Sequence, residues 1–70
     1  MPIIEVNMLK GRSADDKERL IQALTDATIT SIGTPRESVR IILREMPAGN
    51  FAVGGQSFAS KAAAKARSLD

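Results

Sequence analysis

One long helical stretch lies between two short strand-like runs, and no second element of comparable length stands ready to cover the face it leaves open. Residues 2–9 alternate, with Ile4, Val6 and Met8 on one side and Ile3, Glu5, Asn7 and Leu9 on the other, the period of a strand. Lys10-Gly11-Arg12 reads as a turn. Ser13 follows as a helix N-cap, with Asp15, Asp16 and Glu18 placed to favour the positive end of the helix. The helix is expected to run to about Ile32, with Leu20, Ile21, Leu24, Ala27, Thr28 and Ile32 along its apolar stripe. Gly33 supplies a left-handed stop, and Pro35 prevents continuation. Residues 39–46, rich in β-branched side chains, form the second strand. Strand, helix and strand with short connections predict a βαβ unit, with parallel strands and a right-handed crossover. One helix covers one face of such a sheet. The other face still carries Ile3 and Leu9, or Ile42 and Met46, and something must bury it.

After Met46, the segment Pro47-Ala48-Gly49-Asn50-Phe51-Ala52-Val53-Gly54-Gly55 is turn-rich with a short apolar stretch, which predicts a β-hairpin. The end, from Ser57 to Leu69, is rich in Ala and Lys and predicts a helix. The fold class is therefore α/β (α+β), one domain over residues 1–70. A core of this size rarely supplies more than roughly 3–5 kcal/mol, so short chains need staples or partners. Staples are absent here: the chain has no Cys and no His, so neither a disulfide nor a zinc site with its usual ligands is available. Self-association is the expected source of stability. The absence of Cys, of a signal peptide and of a membrane-length apolar run leads to the expectation of a cytoplasmic protein.

Charge points away from nucleic acid. The net charge is +2, but acids and bases alternate along most of the chain, and Phe51 and Phe58 stand in no basic-aromatic pattern. In the tail, Lys61, Lys65 and Arg67 face only Asp70, which reads as a solvated helix end. No Gly-rich phosphate loop, zinc spacing, Ser-His-Asp set or paired carboxylate is present, and Gly54-Gly55 is a hairpin turn. What remains is an amine and several arginines. Removal of Met1 would turn the Pro2 nitrogen into a free secondary amine, with no His or Cys to compete as base or nucleophile. The simpler reading of Pro2 is a rigid first residue of an edge strand. Singly, Arg12 reads as a surface turn residue, and Arg40 as a snorkelling edge residue or the ion-pair partner of Glu5. If subunits pack face to face, such cations can meet the terminal amine of a neighbouring chain.

Taken in order, Pro2-Ile3-Ile4, Leu9-Lys10-Gly11-Arg12-Ser13, Ser38-Val39-Arg40-Ile41-Ile42-Leu43-Arg44-Glu45-Met46 and Gly49-Asn50-Phe51-Ala52-Val53-Gly54-Gly55 resemble the 4-oxalocrotonate tautomerase family. The resemblance covers roughly residues 2 to 62, and residues 62–70 extend past the typical short member. It implies a tautomerase-like βαβ subunit assembled as a homohexamer, a trimer of dimers, that converts 2-hydroxydienoates of the 2-hydroxymuconate type to conjugated 2-oxo acids. Pro2 matches the family's N-terminal general base. Arg40 matches the arginine at the 2-oxo and carboxylate end, Arg12 the one at the distal carboxylate, and Phe51 a pocket-lining phenylalanine. The resemblance further implies a dicarboxylate or 2-oxo acid substrate, no metal or organic cofactor, and a site shared between subunits.

The chemistry fits those roles. A prolyl amine is normally protonated near neutrality, so it needs partial desolvation and nearby cations to act as a base. Arg12 and Arg40 supply cations, and Phe51, Leu9 and Val53 an apolar wall. The same arginines dock a dianion bidentately and stabilise a dienolate as charge moves onto oxygen. Two alternatives stand beside this reading: a scaffold of the same fold without efficient tautomerase activity, and a promiscuous dehalogenase or hydratase. Hydration needs a carboxylate to activate water. Between Glu45 and Asp70 the chain has none, and Val53 occupies the pocket-side loop where one would serve.

Overall fold

The computed structural model describes residues 1–68, with side chains described through Ala63. Strand β1 spans Ile3–Leu9, helix α1 Ala14–Ile32 and strand β2 Arg40–Met46. A hairpin of β3 (Ala52–Val53) and β4 (Gln56–Ser57) follows, and helix α2 (Phe58–Ser68) ends the described chain. Short 3₁₀ turns at Arg36–Ser38 and Ala48–Asn50 lead into β2 and the hairpin. The expected continuation of the last helix to Leu69 lies outside the described residues, as does Asp70. So do the side chains of Lys65 and Arg67.

β1 and β2 pair in parallel, in the register Ile3 with Arg40 through Leu9 with Met46. Paired residues project to the same side. Ile4, Val6 and Met8 therefore share the helix-covered face with Ile41 and Leu43, while Ile3, Glu5, Asn7 and Leu9 share the open face with Arg40, Ile42, Arg44 and Met46.

Helix α1 starts where the side-chain chemistry asks it to. Ser13 Oγ accepts the Asp16 N–H at 3.1 Å, and Asp15 and Asp16 lie in the first turn. Gly33 closes the helix at φ 70°, its N–H bonded to the Ile29 carbonyl at 2.9 Å. The Lys17 ammonium reaches Glu45 Oε1 at 2.9 Å and ties the helix to β2.

The covered stripe differs from the expected one. Leu20, Ile21, Leu24 and Thr28 do turn inward, joined by Thr25 and Ile29, whereas Ala27 and Ile32 are exposed. Ile32 has the right angular position but the wrong height. The helix's 19 residues rise about 28 Å, and each seven-residue strand spans only about 23 Å. The last turn therefore overhangs the sheet.

Only Thr25 is buried among the described residues, still 9% exposed, and no hydrophobic side chain reaches that level. Ile3 keeps 59% of its surface exposed and Ile42 39%, both on the open face. The chain presents 5229 Å² to solvent, whereas a compact monomer of its 7.5 kDa mass presents about 4,250 Å². The excess has the size of one partner's share of a specific protein interface, about 800 Å².

Candidate active site

Pro2 and Arg40 meet at one end of the sheet. The Arg40 N–H donates to the Pro2 carbonyl at 3.0 Å, so the two backbones are fixed side by side where the strands begin. Arg40 does not pair with Glu5. Its guanidinium donates to the Glu37 carbonyl, which folds it back over the 3₁₀ turn, and Arg44 holds Glu5 instead, at 3.1 Å. Glu5 lies opposite Ile42, with Arg40 and Arg44 two positions to either side on the same face, and the bond from Arg40 to the Glu37 carbonyl leaves Arg44 as the partner. Met1 is 78% exposed, and Pro2 is half-buried.

Arg12, Leu9 and Phe51 gather at the other end. Beyond the last bond of the ladder, the Lys10 N–H donates to the Met46 carbonyl at 2.9 Å, and Gly11 turns the chain at φ 133°. Arg12 follows, its side chain 70% exposed and 3.9 Å from Asp16, whose carboxylate is held more closely by Arg19. A guanidinium so loosely engaged remains available to an external carboxylate. Beside it, Asn7, Met8, Leu9, Met46, Phe51 and Phe58 line a cleft of about 270 Å³. A groove sharing Met8 and Leu9 leads from there to Arg12.

Residues 2–61 match the model of the tautomerase family, described as tautomerase enzyme. This chain belongs to the tautomerase family. It is 44% identical over 57 residues to a 2-hydroxymuconate tautomerase of Stutzerimonas stutzeri, covering 81% of this chain and 90% of that protein. Among solved structures it is similar to a 4-oxalocrotonate tautomerase isozyme of Methylibium petroleiphilum. The TM-score is 0.87 at 35% identity, over 90% of this chain and 98% of that one. A heterohexameric 4-oxalocrotonate tautomerase of Chloroflexus aurantiacus superposes with a TM-score of 0.81 at 37% identity, over 84% and 95% of the two chains. Within the family the chain is of the 4-oxalocrotonate tautomerase type, and it is an enzyme.

The candidate site residues of this tautomerase subunit thus fall into two groups at opposite ends of a sheet about 23 Å long. The structure brings Pro2 to Arg40 and Leu9 to Phe51, with Arg12 alongside the latter pair, but does not bring the two groups together. Val53 sits in β3, 55% exposed, outside the lining of the cleft. Sequence reasoning assigned no role to Met8, Met46 or Phe58, all of which line that cleft. A signal for Phe58 was present: a hairpin over 52–57 with its turn at Gly54-Gly55 brings residues 51 and 58 side by side.

Proposed function

We propose that this tautomerase interconverts 2-hydroxydienoates of the 2-hydroxymuconate type and conjugated 2-oxo acids, with the Pro2 nitrogen as general base once Met1 is removed. The observation that carries the reading is the pairing of Pro2 with Arg40 on a chain of this family. Pro2 and Arg40 are joined through their backbones, and a guanidinium swung from the Glu37 carbonyl toward the Pro2 nitrogen would favour its free-base form, because the cation disfavours a second positive charge. Arg40 receives the 2-oxo and carboxylate end of the substrate and stabilises the dienolate oxygen, and Arg12 receives the distal carboxylate. Pro2 takes a proton from the substrate and returns it at another atom of the conjugated system. The reaction is an isomerisation, so nothing is consumed.

The two residue groups complete one another between copies. The reading accordingly includes a homo-oligomer, a homohexamer in its simplest form, in which the Arg12, Leu9 and Phe51 end of one chain meets the Pro2 and Arg40 end of another. Exposed Ile3 and Ile42 on the open face support it.

Intact mass and a 2-hydroxymuconate ketonisation assay on one preparation test the proposal. Protein lacking Met1 is expected to be active, and Pro2→Ala is expected to lose at least about 10²-fold in kcat/KM, the usual contribution of a positioned base. Full activity of Pro2→Ala, or inactivity of correctly processed wild type on several 2-hydroxydienoates, overturns it.

A further inference from the structure

Phe51 stands on a short support. Its N–H reaches the Ala48 carbonyl at 3.4 Å, a long contact, and the strand it leads into, β3, has only two residues. Two contacts from Phe58 hold it more firmly. The Phe58 N–H donates to the Phe51 carbonyl at 2.8 Å, closing the hairpin at its base. The two rings meet edge to face, centroids 4.7 Å apart and planes at 84°. That arrangement sets the positive ring edge of one against the negative face of the other. Lys61, one helical turn on, places its ammonium over the Phe58 ring at 5.6 Å from its centroid, a cation–π contact that helps orient that ring. Both rings line the cleft that contains Leu9, with Met8 and Met46 completing its apolar wall.

We propose that Phe58 is a positioning and specificity-determining residue. It fixes the Phe51 ring and, with it, forms the apolar wall that receives the distal hydrocarbon end of the substrate. The inference rests on the reading of Leu9 and Phe51 as part of the tautomerase pocket. It also names a substrate class. A dicarboxylate is held at its distal end by Arg12, whereas a 2-hydroxydienoate with an apolar or alkyl distal end has only this wall. Phe58 therefore matters more for monocarboxylate dienols than for dicarboxylates.

The backbone bond from residue 58 survives any side-chain change there, so Phe58→Ala deletes the ring contact and leaves the hairpin's closing bond in place. For Phe58→Ala, KM for 2-hydroxypenta-2,4-dienoate is expected to rise about fivefold, with a rise of twofold or less for 2-hydroxymuconate and kcat nearly constant for both. Phe58→Tyr, which keeps the ring, is expected to restore the wild-type KM. An unchanged KM ratio between the two substrates, or a loss confined to kcat, overturns the proposal. If Phe58→Ala fails to assemble, Phe58→Leu carries the same test, since it fills space without a ring edge. Phe51→Ala measured in parallel separates the two levels. If it raises KM while Phe58→Ala does not, the Phe58 role fails alone; if neither changes KM, the pocket reading fails with it.

Discussion

Arg40 and Arg12 carry the same charge and sit in opposite circumstances. Arg40 is joined to Pro2 through its backbone N–H, with its guanidinium on the Glu37 carbonyl, and the proposed mechanism assigns it to the end where the proton moves. Arg12 is 70% exposed and loosely paired, and the proposed mechanism assigns it to holding the distal end of the substrate. Arg40→Ala is expected to lower kcat/KM on 2-hydroxymuconate about 10²-fold through both kcat and KM, the scale of one lost charge-assisted bidentate contact. Arg40→Lys recovers little of this, because an ammonium lacks the planar fork. Arg12→Ala is expected to raise KM for the dicarboxylate about tenfold and to leave a monocarboxylate dienol nearly untouched. Steady-state kinetics on both substrates checks the split. Equal losses on the two would mean that Arg12 does not engage the distal carboxylate.

Helix α1 joins the two ends of the sheet, and its termini are fixed by single residues. Ser13 caps the start, directly after Arg12. Ser13→Ala is expected to cost about 1 kcal/mol and to raise KM for the dicarboxylate as the first turn frays beneath Arg12. Gly33→Ala forces a side chain into φ 70° and costs about 1 kcal/mol without that effect on KM. Urea midpoints at one protein concentration, read beside KM, distinguish the two.

These caps, the strands and the hairpin turn were legible in the sequence because each depends on residues close together along the chain. The helix stripe was legible only in part. Periodicity gives an angle around the axis but no height along it, so Ile32 passed for a covered residue although it overhangs the sheet. The partner of Glu5 was not legible either, since Arg40 and Arg44 flank its opposite residue Ile42 equally and only the Glu37 carbonyl's hold on Arg40 decides between them. At the site, Pro2, Arg12 and Arg40 stood out by residue type and family pattern. Met8, Met46 and Phe58 did not, because an apolar lining looks like any core until the strands and hairpin are assembled.

At the scale of the whole molecule, one subunit is an incomplete object. It buries no hydrophobic side chain completely among the described residues, and its extents of 53 × 25 × 16 Å give a radius of gyration of 16.6 Å. A compact chain of this length would have about 11 Å. On the proposed reading the same shortfall divides the site, since the surface that needs a partner lies between the two residue groups that would complete one another across it. Stability and activity should therefore be lost together on dilution, and chains with different defects should repair each other. Pro2→Ala, nearly inactive on 2-hydroxymuconate as a pure oligomer, and Arg12→Ala, lowered about tenfold in kcat/KM, are expected to regain kcat/KM when unfolded together and refolded as a mixture. A site that takes Pro2 from one chain and Arg12 from another is intact only when both contributions come from the undamaged copies. Random mixing in a symmetric oligomer makes that about a quarter of all sites, so activity should approach about a quarter of wild type. A site built within one chain gives no recovery, because every chain in the mixture carries a defect. Native mass spectrometry verifies that mixed oligomers have formed. Mixed oligomers without recovered activity would place Pro2 and Arg12 in one chain's site, against the separation of about 23 Å set by the strand between them.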